Sequence, residues 1–192
     1  MFSEEQEPKT VAVFSVTGGD ARSQEVDDIL FVMRRVNERI GPVRLEVFGR
    51  GTDKARESLQ RGLEGSDIEL TARGVIPAEE ITRTLSAAHV MLCVRGLVTG
   101  RRGTAIAGIA CGLPVVGYGQ PGSDPAIDAA GVRLVPWRDS EELSNELVHV
   151  LTDEKLWQEL HDKNRLALEL YFSWNAVADR YVKLLAANES LR

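Results

Sequence analysis

Short runs of β-branched and apolar residues alternate with amphipathic stretches along most of this 192-residue chain, and almost every run ends at glycine. "VAVFSV" (11–16) stops at Gly18-Gly19, as a strand buried on both faces does. "SQEVDDILFVMRRVNERI" then repeats apolar residues at Val26, Ile29, Leu30, Met33, Val36 and Ile40, a helical stripe closed by Gly41-Pro42. The alternation continues through "VRLEVFG", a helix from Asp53 to about Leu63, "DIELTARG", "PAEEITRTLSAA", "HVMLCV", a glycine-framed loop and helix, "PVVGYG" and "VRLVP". This order dictates an α/β fold: a three-layer, Rossmann-like parallel sheet with helices on both faces. Beyond Pro136 three helical segments follow, separated by Asp153 and Ser173 in capping positions.

The length suits one substantial core, expected over residues 10–192, behind a flexible polar leader at 1–9 that carries Glu4, Glu5, Glu7 and Pro8. A net charge of -6 argues against a nucleic-acid binder with a basic face, but leaves room for a local basic pocket for a small anion. Cys93 and Cys111 both sit in apolar runs and read as small core residues in a reducing compartment. Neither a signal-peptide layout nor an apolar run approaching about 20 residues is visible, so a cytoplasmic location is expected.

In a parallel α/β sheet, ligands bind beyond the carboxyl ends of the strands. The segment "TGRRGTAIAGIACGLPVVGYG" (99–119) lies at such an end. A helix beginning near Thr104 would aim its free amides above residues 100–103, where Arg101 and Arg102 supply forked donors suited to phosphate. The plainer reading keeps both arginines on a solvated loop. "GYGQPG" (117–122) matches the dinucleotide fingerprint, but follows the fifth strand and precedes Pro125, which disfavours a nicotinamide cofactor. His89, His149 and His161 lack partners at metal-ligand spacing, and there is no Asp-x-Asp, so neither a metal nor a cofactor is expected. Trp157 and Trp174 read as core anchors, whereas Trp137, just past a strand end, could touch a ligand.

The motifs "ACGLPVV", "AGVRLVPWRD" and "FSWNAVADRY", with "VRLEVFGRG" and "RGVIPAEEITRTLSAAHVMLCV" upstream, resemble the C-terminal half of GT-B glycosyltransferases of the GT4 group in order and spacing. The likeness spans about residues 10–187. It implies the nucleotide-sugar-binding domain of a retaining glycosyltransferase without a metal requirement. The acceptor would be held by an N-terminal domain in the same or another chain, and any peripheral membrane contact would run through that domain.

The resemblance implies that Arg101 and Arg102, with the amides of Gly103 and Thr104, hold the donor diphosphate, as "GRRGT" segments do in some members. Where the family often has Gly-Arg and then Lys-Gly, this chain reads Val16-Thr17 and Arg22-Ser23, leaving Arg22 as the surviving cation. Backbone groups of Arg73, Gly74, Val75 and Ile76 correspond to the segment that meets the base, and Thr99, Gly100, Ala107 and Gly119 fall around the sugar or ribose. The family's paired glutamates are replaced by Thr99 and Ala107. Their loss also fits a noncatalytic GT-B module that senses a nucleotide or binds another subunit.

Overall fold

Alternate residues along the central strands enter different cores, so both faces of the sheet are buried there. In the computed structural model, which describes residues 7–17 and 21–189, β1 (Lys9–Phe14) sends Val11 and Val13 into one apolar cluster and Ala12 into another. β4 (Val90–Cys93) does the same, with Val90 and Leu92 on one side and Met91 and Cys93 on the other. This period of two, filled with apolar side chains in both directions, is what turns the short β-branched runs into central parallel strands.

The remaining strands are β2 (Val43–Phe48), β3 (Ile68–Arg73), β5 (Val115–Tyr118) and β6 (Arg133–Val135). All six pair in parallel in the order β3-β2-β1-β4-β5-β6. The order reverses between β1 and β4, where Val11 pairs with Val90 and Ala12 with Met91. Right-handed crossovers then place the helices before and after the reversal on opposite faces.

On the first face lie α1 (Ala21–Ile40) and α2 (Thr52–Leu63); α6 (Ser140–Thr152) returns beside α1 after β6. Ile29, Met33, Leu59, Leu143 and Leu147 join that cluster, each fully buried. The second face carries α3 (Ala78–Ala87), α4 (Gly103–Ala110) and α5 (Pro125–Ala129), and α7 (Glu154–Ala167) bridges the two, with Leu160 in the first cluster and Ala167 in the second. The small residues of α4 let it approach closely: a Cβ on Gly108 would stand 2.7 Å from Met91 Sδ.

Two features depart from the sequence reading. The five-residue α5 is too short to leave a periodic stripe; it exists because Asp124 caps the amides of Ala126 and Ile127 and Pro125 fits the first turn. Trp174 is no core anchor: it is 89% exposed. It opens α8 (Trp174–Glu189), which follows a five-residue π-helical turn, Leu168–Phe172, and packs on that turn. Trp157 is an anchor, packing on the first cluster and donating its indole N–H to the His89 carbonyl at 2.6 Å.

Candidate functional site

The reversal between β1 and β4 opens a crevice at the carboxyl ends of the strands, and the loops that meet there bring arginines together from three parts of the chain. Arg50 follows β2, Arg95 follows β4, and Arg101 and Arg102 precede α4. With Ser15, Thr99, Gly103 and Thr104 they line a cleft of about 520 Å³. Among the described residues none of these four guanidinium groups has a carboxylate within salt-bridge distance. Four unpaired cations around one cavity repel one another and favour an anion between them.

The backbone at the cleft is set by tight packing. A Cβ on Gly51, whose φ is 81°, would fall 2.0 Å from the Val16 carbonyl oxygen, so only glycine lets the end of β2 close against β1. Ser15 holds a left-handed φ of 71° without being glycine, a conformation that surrounding contacts must maintain. One of those contacts is its amide's hydrogen bond to the Phe48 carbonyl at 2.7 Å. Gly96 makes room for Arg102, because a Cβ there would stand 2.9 Å from the Arg102 Nη2. Arg102 Nε donates to the Leu97 carbonyl at 3.1 Å, which aims the guanidinium across the loop.

No side chain caps α4, and the helix presents Gly103 and Thr104 to the cleft. An uncapped first turn leaves amide hydrogens and the positive end of the helix dipole facing whatever occupies the cavity. Thr99 also lines the cleft, with its hydroxyl 3.4 Å from the Arg101 amide. Gly100 is tied down by Asp124, whose carboxylate accepts its amide at 2.7 Å. The residues read as phosphate ligands at 101–104 are therefore gathered on one wall. The side chain of Arg22 lies outside the described residues, as do Gly18 and Gly19.

The other expected positions are placed less directly. Arg73 braces β3, its guanidinium held by Glu46 at 3.0 Å, Thr84 at 2.9 Å and Glu80. The Gly74 carbonyl accepts the Gly49 amide at 2.9 Å, and a Gly74 Cβ would collide with the Asp53 carboxylate, so this loop lies beside the turn carrying Arg50. Val75 is open to solvent and Ile76 packs on the second cluster. Ala107 also packs on that cluster and does not line the cleft, while the Gly119 amide is spent on the Val135 carbonyl at 2.8 Å. Burial pushes the Cys93 thiol up to about 12, so it stays protonated beneath the loop.

Three of the site's features were not singled out in the sequence: Arg50, Arg95 and Asp124's anchoring of Gly100. The first two stood at strand ends next to glycines, at "FGRG" and "CVRG", a signal that the sheet order turns into proximity.

A family model described as "Glycosyl transferases group 1" matches residues 11–153. The chain belongs to that family. Its fold is also that of the C-terminal domain of LpcC, a glycosyl transferase group 1 protein from Francisella tularensis, with a TM-score of 0.69 and 15% identity over 86% of this chain and 87% of that one. S. aureus TarM, solved in a complex that includes UDP, aligns with a TM-score of 0.69 and 15% identity over 96% of this chain and 37% of its own. Anabaena HepE, solved with UDP and glucose, gives 0.67 and 14% over 94% of this chain and 48% of its own. This glycosyl transferase group 1 chain thus spans less than half the length of TarM or HepE, and nearly all of the excised LpcC domain. A search of curated protein sequences found no match. Among the described residues no helix is long and apolar enough to cross a membrane.

Proposed function

We propose that this chain is the donor-binding half of a retaining GT-B glycosyltransferase, holding a nucleoside-diphosphate sugar with its diphosphate in the arginine cleft. The observation that carries the reading is the set of four guanidinium groups, without carboxylate partners among the described residues, around the uncapped start of α4. Family membership supports it, as do the fold relatives solved with UDP. Arg50, Arg95, Arg101 and Arg102 would neutralise the phosphates, and the amides of Gly103 and Thr104 would donate hydrogen bonds to their oxygens. Charge grows on the leaving diphosphate as the sugar departs, and donors fixed in place before that moment stabilise it without reorganising. In this reading guanidinium and amide groups, with Arg22 from α1, do the work a divalent cation does elsewhere.

Closure of a second domain over the cleft would bring an acceptor to the sugar and exclude water. Domain limits of 10–192 and a base seated along Arg73, Gly74, Val75 and Ile76 belong to the same proposal. A second reading, a noncatalytic GT-B module that senses a nucleotide or binds another subunit, draws support from Thr99 and Ala107, which put no carboxylate where a sugar and ribose would lie. Calorimetric titration with nucleoside diphosphates and their sugars tests the donor site. Micromolar binding of at least one is expected, and a folded chain that binds none refutes the donor site. Transfer of sugar once the chain is joined to an acceptor domain then separates enzyme from module.

A further inference from the structure

Beside the arginine cleft lies a second pocket of about 370 Å³, and Arg95 and Arg102 line both. Its other walls come from the first turns of α1, through Gln24, Glu25 and Asp28, and from the segment after β6, through Trp137 and Arg138. Nothing in the donor reading uses these residues.

The pocket has three chemically distinct parts. Trp137 offers an aromatic surface: its ring meets Tyr118 edge-on, with centroids 5.1 Å apart, and half of the residue remains exposed. Aromatic faces of this kind receive the C–H side of a sugar ring. Glu25 and Asp28 supply carboxylates whose positions are fixed, Glu25 by the Thr17 amide at 2.6 Å and Asp28 by the Ser140 hydroxyl at 2.8 Å. Such acceptors suit sugar hydroxyls. Arg95, Arg102 and Arg138 supply cations, one more than the two acids balance.

Arg138 is built in with care. Its φ of 65° is a left-handed conformation that a non-glycine residue adopts at a cost, and it brings the side chain back over the pocket. There the guanidinium donates to Gln24 and sits 5.5 Å from the Trp137 ring centroid. Among the described residues Arg138 has no carboxylate within salt-bridge distance, so a positive group remains at the aromatic platform.

The geometry points to a subsite for a sugar that carries a carboxylate or phosphate, its ring on Trp137 and its anion between Arg138 and the shared arginines. The inference rests on the neighbouring cleft being the diphosphate site, and it adds a substrate class: an anionic sugar, borne by the donor or by the acceptor. A neutral hexose would leave Arg138 without an anionic partner, and an isolated phosphate would leave the indole and both carboxylates unused.

The test uses the full chain and saturation-transfer NMR with free glucuronate, glucose 6-phosphate and glucose, each with and without the nucleoside diphosphate that binds best. The two anionic sugars are expected to bind at least tenfold more tightly than glucose. Arg138→Ala and Trp137→Ala should each lower that binding at least tenfold, with Arg138→Lys restoring part of it. Unchanged thermal unfolding of the variants shows that the fold is intact. Equal binding of glucose and glucuronate, no transfer to either anionic sugar together with no preference for UDP-glucuronate over UDP-glucose, or full affinity in folded Arg138→Ala overturns the inference. Titration with UDP-glucuronate against UDP-glucose separates the sources: a preference for the first puts the anion on the donor, and binding of the free sugars beside a bound diphosphate puts it on the acceptor. Should no nucleoside diphosphate bind, the donor reading fails, while the free-sugar measurement still decides this pocket.

Discussion

One carboxylate joins two elements at the cleft: Asp124 Oδ2 accepts the Gly100 amide at 2.7 Å, and its Oδ1 caps α5 through the Ala126 amide at 3.1 Å. The loop that presents Arg101 and Arg102 is thereby anchored to a helix on the far side of β5. Asp124→Ala should cost about 1 kcal/mol of stability as the cap is lost. It should also weaken nucleoside-diphosphate binding severalfold as the loop loosens. Asp124→Asn retains a capping oxygen but not both contacts, so it should preserve stability better than affinity. Urea unfolding and calorimetry on the two variants separate these effects.

Arg101→Ala with Arg102→Ala should weaken nucleoside-diphosphate binding more than tenfold, which corresponds to about 1.4 kcal/mol. Arg95→Ala should have a comparable effect although it lies on a different loop. Binding should also weaken steeply as salt is raised, since the charges are exposed to screening. Unchanged affinity in the double variant would return both arginines to the solvated surface.

Gly117 in β5 leaves no space for a methyl group. A Cβ there would stand 2.8 Å from the Cys93 carbonyl oxygen and 2.8 Å from Val98 Cγ2. Gly117→Ala should therefore destabilise the domain by about 1–3 kcal/mol, the usual range for overpacking a core. Denaturant unfolding measures it, and a change within a few tenths of a kcal/mol would show that the strand can shift.

His89 gives the fold an acid sensitivity. Its Nδ1 accepts the Thr10 amide at 3.0 Å, which requires the neutral ring, and burial together with the nearby Lys9 cation lowers its pKa to about 4. The unfolded chain, with a histidine near the ordinary 6.5, takes up its proton first as the pH falls. The contribution of His89 to stability is thus full above about pH 6.5 and is lost progressively toward pH 4. Melting temperature should fall across that window, and less so in His89→Gln, which cannot titrate.

Most of the architecture was legible because periodicity reports which sides of an element are buried. Val11 to Phe14 and Val90 to Cys93 announced strands with two apolar faces, and the α1 stripe announced a helix with one. Periodicity does not report what does the burying. Trp174 sits in a helix with apolar spacing like that of Trp157, yet 89% of it faces solvent. The loop proposed to hold phosphate was visible because its charges and glycines are contiguous. Arg50, Arg95 and Arg138 were not singled out, since only the order β2-β1-β4 and the return of the chain after β6 bring them together. Asp124 hid for a similar reason: its helix is too short for a pattern, and its second contact lies 24 residues away.

The three tryptophans divide the molecule into separately observable regions. Trp157 is partly buried, packed on the first cluster and hydrogen-bonded, Trp137 is half covered at the pocket, and Trp174 heads an α8 whose Tyr181, Leu184 and Leu185 are also open to solvent. Intrinsic fluorescence should accordingly be a mixture of blue and red emitters, with acrylamide quenching Trp174 most and Trp157 least. A ligand at the pocket would alter the intermediate component, and anything that covered α8 would move the reddest one, so a single unlabelled spectrum can tell the two events apart.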